Sequence, residues 1–152
     1  MVKDQKTMWD KLCGALDPDG FDMRNSFNGR LEPHPVGCSL EEMTSEIEYP
    51  ILEWELNQAG QVHGGILCTM FDISAGSLAK IVNELEFNPT VSLNVRFIRP
   101  AMHGDTAVIK TVIESNGRTL VNMSGRAFSK NSGKLLATAA VTFINTDNRR
   151  NQ

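Results

Sequence analysis

The chain has 152 residues, 41% of them hydrophobic and 22% charged, with a formal net charge of −3. That length suits one domain with a core of its own, and the acidic balance argues against a nucleic-acid partner, whose binding domains are usually basic. Cys13, Cys38 and Cys68 lie far apart with no CxxC pair, and His34, His63 and His103 do not fall at ligand spacing, so reduced thiols in a cytoplasmic protein are expected, without a disulfide framework, metal or other cofactor.

The opening MVKDQKTMWDKL is too polar for a secretory signal. Met8 to Leu16 has helical spacing through Trp9, Leu12 and Leu16, and Asp17-Pro18-Asp19-Gly20 stops it. Phe21 to Pro35 reads as loop, and Met43 to Asn57 as extended chain interrupted by Pro50. Val62 to Leu85 is the one long helical pattern; its apolar run contains Gly, Thr, Ser and Asp, so no membrane span is expected. The period then changes to two. Val91, Leu93, Val95 and Phe97 alternate with Thr90, Ser92, Asn94 and Arg96, a half-buried strand ended by Arg99-Pro100. Ala107 to Ser115 and Thr119 to Ser129 are two strands joined at Asn116-Gly117, a strong hairpin signal. A second turn, Lys130 to Gly133, leads to the last strand, Leu135 to Asn145, and the polar tail is expected to fray. The order predicts an α+β fold, with four strands in meander-like succession forming a curled antiparallel sheet around one long central helix. The predicted division is 1–35 as N-terminal helix and loop, 36–146 as the main domain and 147–152 as a flexible tail.

On a helical wheel, Ile66, Leu67, Met70, Phe71, Ile73, Leu78, Ile81 and Val82 form one apolar side, with Ser74 and Ser77 among them. Asp72 falls on the opposite side, among Gly65, Cys68, Thr69, Gly76 and Ala79. Small residues there would let another backbone approach, so Asp72 is expected in a crowded, partly dry contact. Either it is a structural acid bonded to nearby donors, or it is a general base or nucleophile. Gly64-Gly65 opens the helix, where N–H groups lack intrahelical partners. The pair is either a tight turn or an oxyanion hole or phosphate cradle. Gly64 and Asp72 are eight residues apart, about 12 Å along one helix. They cannot both touch one reacting carbon, so if both act, the acid comes from a second copy of the helix across a twofold axis.

Asn57-Gln58-Ala59-Gly60-Gln61-Val62-His63-Gly64-Gly65, followed by Asp72, resembles the hotdog-fold acyl-CoA thioesterases of the phenylacetate-pathway (PaaI-like) type. Thr90 to Ala101 resembles a further strand of that family, and Gly133 to Phe143 its closing strand; the match spans Gly37 to Asn145. The resemblance implies hydrolysis of an acyl-CoA thioester to free acid and CoA. In it, Asp72 activates water or attacks directly, the Gly64 N–H polarises the carbonyl, Asn57 holds the carbonyl or the water, and His63 sits beside the site. Thr90 matches a hydroxyl position that binds water. Gly65 and the cations Arg96, Arg99, Arg118, Arg126, Lys130 and Lys134 are candidates for the CoA phosphates. The implied partners are the acyl-CoA substrate and further copies of the chain in a homodimer or homotetramer, with no membrane. Two rivals share the fold: a hydratase or dehydratase, and a non-catalytic acyl-CoA-binding or sensing module. The stretch Ile51-Leu52-Glu53-Trp54-Glu55-Leu56 before Asn57 is unusually acidic and bulky for that family, and the first 35 residues carry no motif of it.

Overall fold

A computed structural model describes residues 1–145; the tail from Thr146, expected to fray, lies outside the described residues. The order is helix α1 (Gln5–Ala15), strands β1 (His34–Ser39) and β2 (Thr44–Pro50), helix α2 (Gly64–Asn83), then strands β3 (Thr90–Phe97), β4 (Thr106–Asn116), β5 (Leu120–Ser129) and β6 (Leu135–Ile144). Short 3-10 turns cover Gly29–Leu31 and Glu53–Glu55.

One antiparallel sheet in the order β1-β2-β4-β5-β6-β3 packs against α2. β4, β5 and β6 are the meander expected from their turns. β3 departs from it: the chain crosses the sheet after β3, which among the described strands pairs with β6 alone, from Phe97 opposite Ala137 to Thr90 opposite Phe143. The long connection over 98–105 permits that crossing, whereas tight turns force the other neighbours together. β1, a strand not expected from the sequence, pairs with β2. Its HPVGCS has two prolines' worth of breaking signal in Pro35 and the preceding Pro33, and it tolerates Pro35 because it is an edge strand with a register shift at that point.

α2 takes ten buried residues into the core, among them Leu67, Met70, Phe71, Leu78 and Val82. It is the one helix among the described residues long and apolar enough to cross a bilayer by length and composition, and it serves instead as the helix the sheet wraps. Ala79, on the wheel's Asp72 side, is fully buried. The N-terminal segment joins the same core through Met8, Leu12, Leu16 and Met23, and Val2 N–H donates to the Val82 carbonyl of α2 at 3.0 Å. α1 begins earlier than its apolar spacing suggests, because Asp4 caps it by accepting from Thr7 N at 2.8 Å. Trp54 ties the 21–33 loop to the turn before Asn57, with the Arg30 guanidinium 4.7 Å from its ring centroid and Phe27 packed edge-on.

β3 is less covered than its alternation suggests. Leu93 and Val95 are half-buried, while Val91 and Phe97 are each 54% exposed. As an edge strand it has one unpaired backbone flank, and its apolar residues reach beyond what α2 shields.

Candidate functional site

The stretch from Asn57 to His63 is a closed loop. Leu56 bridges to Val62, Asn57 N–H donates to the Gln61 carbonyl at 2.7 Å, and Gly60 turns the chain at φ +73°. Asn57 Oδ1 accepts from the N–H groups of Ala59 at 2.9 Å and Gln61 at 3.2 Å. The side-chain oxygen therefore holds the turn, and Nδ2 makes no hydrogen bond among the described residues. Behind the loop, Glu55 is 1% exposed. Its carbonyl accepts from His63 N at 2.8 Å, its Oε2 accepts from Leu52 N at 3.2 Å, and its Oε1 has no partner among the described residues. Burial pushes its carboxyl up to about 7, with the charge of Glu32 adding and the Leu52 hydrogen bond opposing.

His63 is the N-cap of α2, and its Nδ1 accepts from Gly65 N at 3.0 Å. That fixes the tautomer with the proton on Nε2. The two glycines have separate reasons to lack a side chain. A Cβ at Gly65 would lie 3.2 Å from His63 Nδ1, crowding the cap; a Cβ at Gly64 would lie 3.2 Å from the Phe97 ring. With Gly65 N–H taken by His63, the Gly64 N–H donates to nothing among the described residues and stays open at the positive end of the helix.

Asp72 sits two turns further along α2, half-buried, and Thr90 Oγ1 donates to its Oδ1 at 2.7 Å. The pair forms because β3 starts beside the middle of α2. Below it, the fully buried Tyr49 hydroxyl shares a hydrogen bond with Ser74 Oγ at 2.8 Å and donates to the Met70 carbonyl at 3.3 Å. Burial drives this phenol well above its ordinary range, and the charge of Asp72 pushes the same way. Asp72 and Thr90 line a cavity of about 470 Å³.

The structure thus makes two clusters from the sequence-derived candidates. Asn57, His63, Gly64 and Gly65 form one, and Asp72 with Thr90 the other, about 12 Å along the axis within one chain. The cations divide too. Arg96 and Arg99 follow β3 to the Phe97 end, where Lys130 and Lys134 lie at the β5–β6 turn, while Arg118 lies at the far β4–β5 turn. Arg99 Nη1 donates to the Leu135 carbonyl at 2.9 Å, and Lys130 Nζ pairs with Glu48 at 2.8 Å. Arg96, Arg118, Arg126 and Lys134 are exposed. Sequence reasoning missed Glu55, whose acid in an apolar run was the available signal, and the N-terminal residues that line the Asp72 cavity, which carried none.

The profile of the Thioesterase superfamily matches residues 59–136, just over half of the chain. The chain belongs to the thioesterase superfamily. Mouse acyl-coenzyme A thioesterase 13 is 32% identical over 103 residues, 67% of this superfamily member and 71% of that protein. A phenylacetic acid degradation-related protein of Ralstonia eutropha is 29% identical, with a TM-score of 0.73 over 91% of this chain and 98% of that one. The PaaI protein of the Escherichia coli phenylacetic acid degradation operon, at 14% identity, has a TM-score of 0.77 over 91% and 93% of the two chains. The fold of this thioesterase-superfamily chain is accordingly the PaaI-like hotdog, as the Asn57–Asp72 pattern implied.

Proposed function

We propose that this chain hydrolyses acyl-CoA thioesters to the free acid and CoA. The observation that carries the reading is Asp72, held by the Thr90 hydroxyl at 2.7 Å on a cavity wall, together with an undonated N–H at Gly64 on the N-terminus of the same helix. A thioester hydrolase needs both a carboxylate that takes a proton from water or attacks the carbonyl, and a donor where the oxyanion develops. In this reading water, giving its proton to Asp72, adds to the carbonyl carbon, or the Asp72 carboxylate adds to it and water then hydrolyses the mixed anhydride that results; Gly64 N–H and Asn57 Nδ2 hold the oxygen, and the C–S bond breaks to release CoA, whose sulfur takes up a proton. His63 acts through the helix cap and positions Gly64. Arg96, Arg99 and Lys130, with the Gly65 end of the helix, receive the CoA phosphates.

Because the two clusters are about 12 Å apart, the site is composite: the loop and Gly64 of one subunit face Asp72 and Thr90 of another. The uncovered edge of β3, with Val91 and Phe97 half exposed, offers the twofold contact of a homodimer, which can pair again as a tetramer. The free thiols at Cys13, Cys38 and Cys68 fit a cytoplasmic setting.

The test is a panel of acyl-CoAs incubated with the purified chain and a thiol reagent. Release of free thiol that depends on Asp72 is expected. Hydration of an enoyl-CoA without thiol release, or tight binding with neither, would replace the hydrolase by one of its rivals.

A further inference from the structure

Resting on that hydrolase reading, we propose that the N-terminal segment, which lies outside the span matched by the family, forms the far wall of the acyl chamber and sets the length of acyl group accepted, with Met23, Gly76 and the Asp22–Lys80 pair as the determinants.

The chamber is the cavity that Asp72 and Thr90 line. Its volume, about 470 Å³, is in the range of small-molecule sites. From Asp72 one face of α2 continues along the cavity through Gly76 and Lys80, four and eight residues on. An acyl group whose carbonyl lies at Asp72 therefore runs along this face for about 12 Å before it meets Lys80. Gly76 leaves the near part wide: a Cβ there would touch the Phe143 ring at 3.4 Å, and the Gly76 carbonyl is held by Asn88 Nδ2 at 2.9 Å.

The opposite wall is Met23. It is 6% exposed, an apolar side chain aimed at core and cavity. Its backbone is fixed by Ser26, whose N–H and hydroxyl both donate to the Met23 carbonyl, at 3.0 and 2.8 Å. Gly29 closes the same turn, and a Cβ there would come within 2.0 Å of the Met23 carbonyl oxygen, so only glycine allows this loop to fold so tightly. A wall built in this way does not yield to a longer chain. At the end of the chamber Lys80 Nζ and Asp22 approach to 3.7 Å, linking α2 to the N-terminal segment with charged groups that an alkyl end would have to desolvate. Met23, Ile73 and Phe143 give the chamber an apolar stripe beside its polar lining of Asn28, Ser77 and Asn88, and the charged pair ends it; each methylene that lies on the stripe adds binding, and the first that reaches the pair loses it.

The experiment measures length profiles two ways on wild type, Met23→Ala and Gly76→Ala. One is kcat/KM for butanoyl-, octanoyl- and hexadecanoyl-CoA. The other is calorimetric affinity for the matching non-hydrolysable thioethers, which needs no turnover. One methylene in an apolar pocket is worth roughly tenfold or more. Met23→Ala should raise the hexadecanoyl-to-octanoyl ratio at least about tenfold. Gly76→Ala, which also favours helix, should lower the octanoyl-to-butanoyl ratio by a similar factor without a lower melting temperature. Thioether profiles that shift in these directions with no thiol release uphold the chamber and overturn the hydrolase. Turnover with both profiles unmoved in folded variants overturns the chamber alone, whereas failure of wild type to bind any of the thioethers, without thiol release, overturns the chamber and the hydrolase together.

Discussion

A carboxylate that accepts a hydroxyl hydrogen bond at 2.7 Å is fixed in direction as well as charged, and this separates Asp72 from an ordinary surface acid. Asp72→Asn keeps the size and the Thr90 contact but removes the base. It should fold normally and lose at least about a hundredfold in kcat; near-normal turnover by a folded Asp72→Asn chain would return Asp72 to a structural role. Thr90 is a positioning group in this reading. Thr90→Val removes its donor and should cost roughly tenfold in kcat, while Thr90→Ser, which restores the hydroxyl, should recover most of that loss. Equal activity of the Val and Ser variants would show that Asp72 needs no such partner. The residue scale was largely legible in the sequence, because the loop-and-glycine spacing and the lone acid on a small-residue face are local facts. The Thr90–Asp72 bond was not, since it depends on which end of β3 lies beside α2, and no local pattern states that.

The element that carries the loop, Leu52 to His63, rests on a buried acid. Glu55 has one oxygen without a partner among the described residues and a carboxyl raised to about 7, against ~4.3 in an unfolded chain. The sign of the linkage follows. Between those values the folded state keeps a proton that the unfolded state has lost, so this group's contribution to stability is fully present below about pH 4 and falls as pH rises toward 7. The loss is on the order of 3 kcal/mol. Glu55→Gln stays neutral throughout, so urea unfolding at pH 5 and pH 8 should show the variant gaining on wild type at the higher pH. Parallel pH slopes for the two chains would mean that Glu55 is solvated or paired. At this scale the sequence was readable where the pattern was long or the turn tight: α2, the β4–β5 hairpin and β6 lie close to their expected limits. β1 escaped because Pro35 masks a six-residue edge strand, and the partner of β3 escaped because the long connection over 98–105 can reach either edge of the sheet.

At the scale of the whole molecule, the N-terminal helix and the sheet share one core, while the candidate catalytic groups do not share one place. That contrast makes assembly the decisive question. If the Asn57 loop and Gly64 of one subunit face Asp72 and Thr90 of another, neither Asn57→Ala nor Asp72→Ala should be active as a homodimer. A heterodimer of the two has one site with both lesions and one with neither. Verified heterodimers, separated by distinct tags after co-expression, should recover about half of wild-type activity, or about a quarter of the total if subunits pair at random. Thr90 sharpens the test, because its bond to Asp72 lies within one chain. Thr90→Val should therefore complement Asn57→Ala to the same extent, yet fail to complement Asp72→Ala, since in that pair every site keeps one lesion on its acid side. Recovery with Asn57→Ala but not with Asp72→Ala groups the residues as the structure does. Heterodimers with no recovery in any pairing would place the loop and the acid in the site of a single subunit, against the 12 Å that separates them along α2.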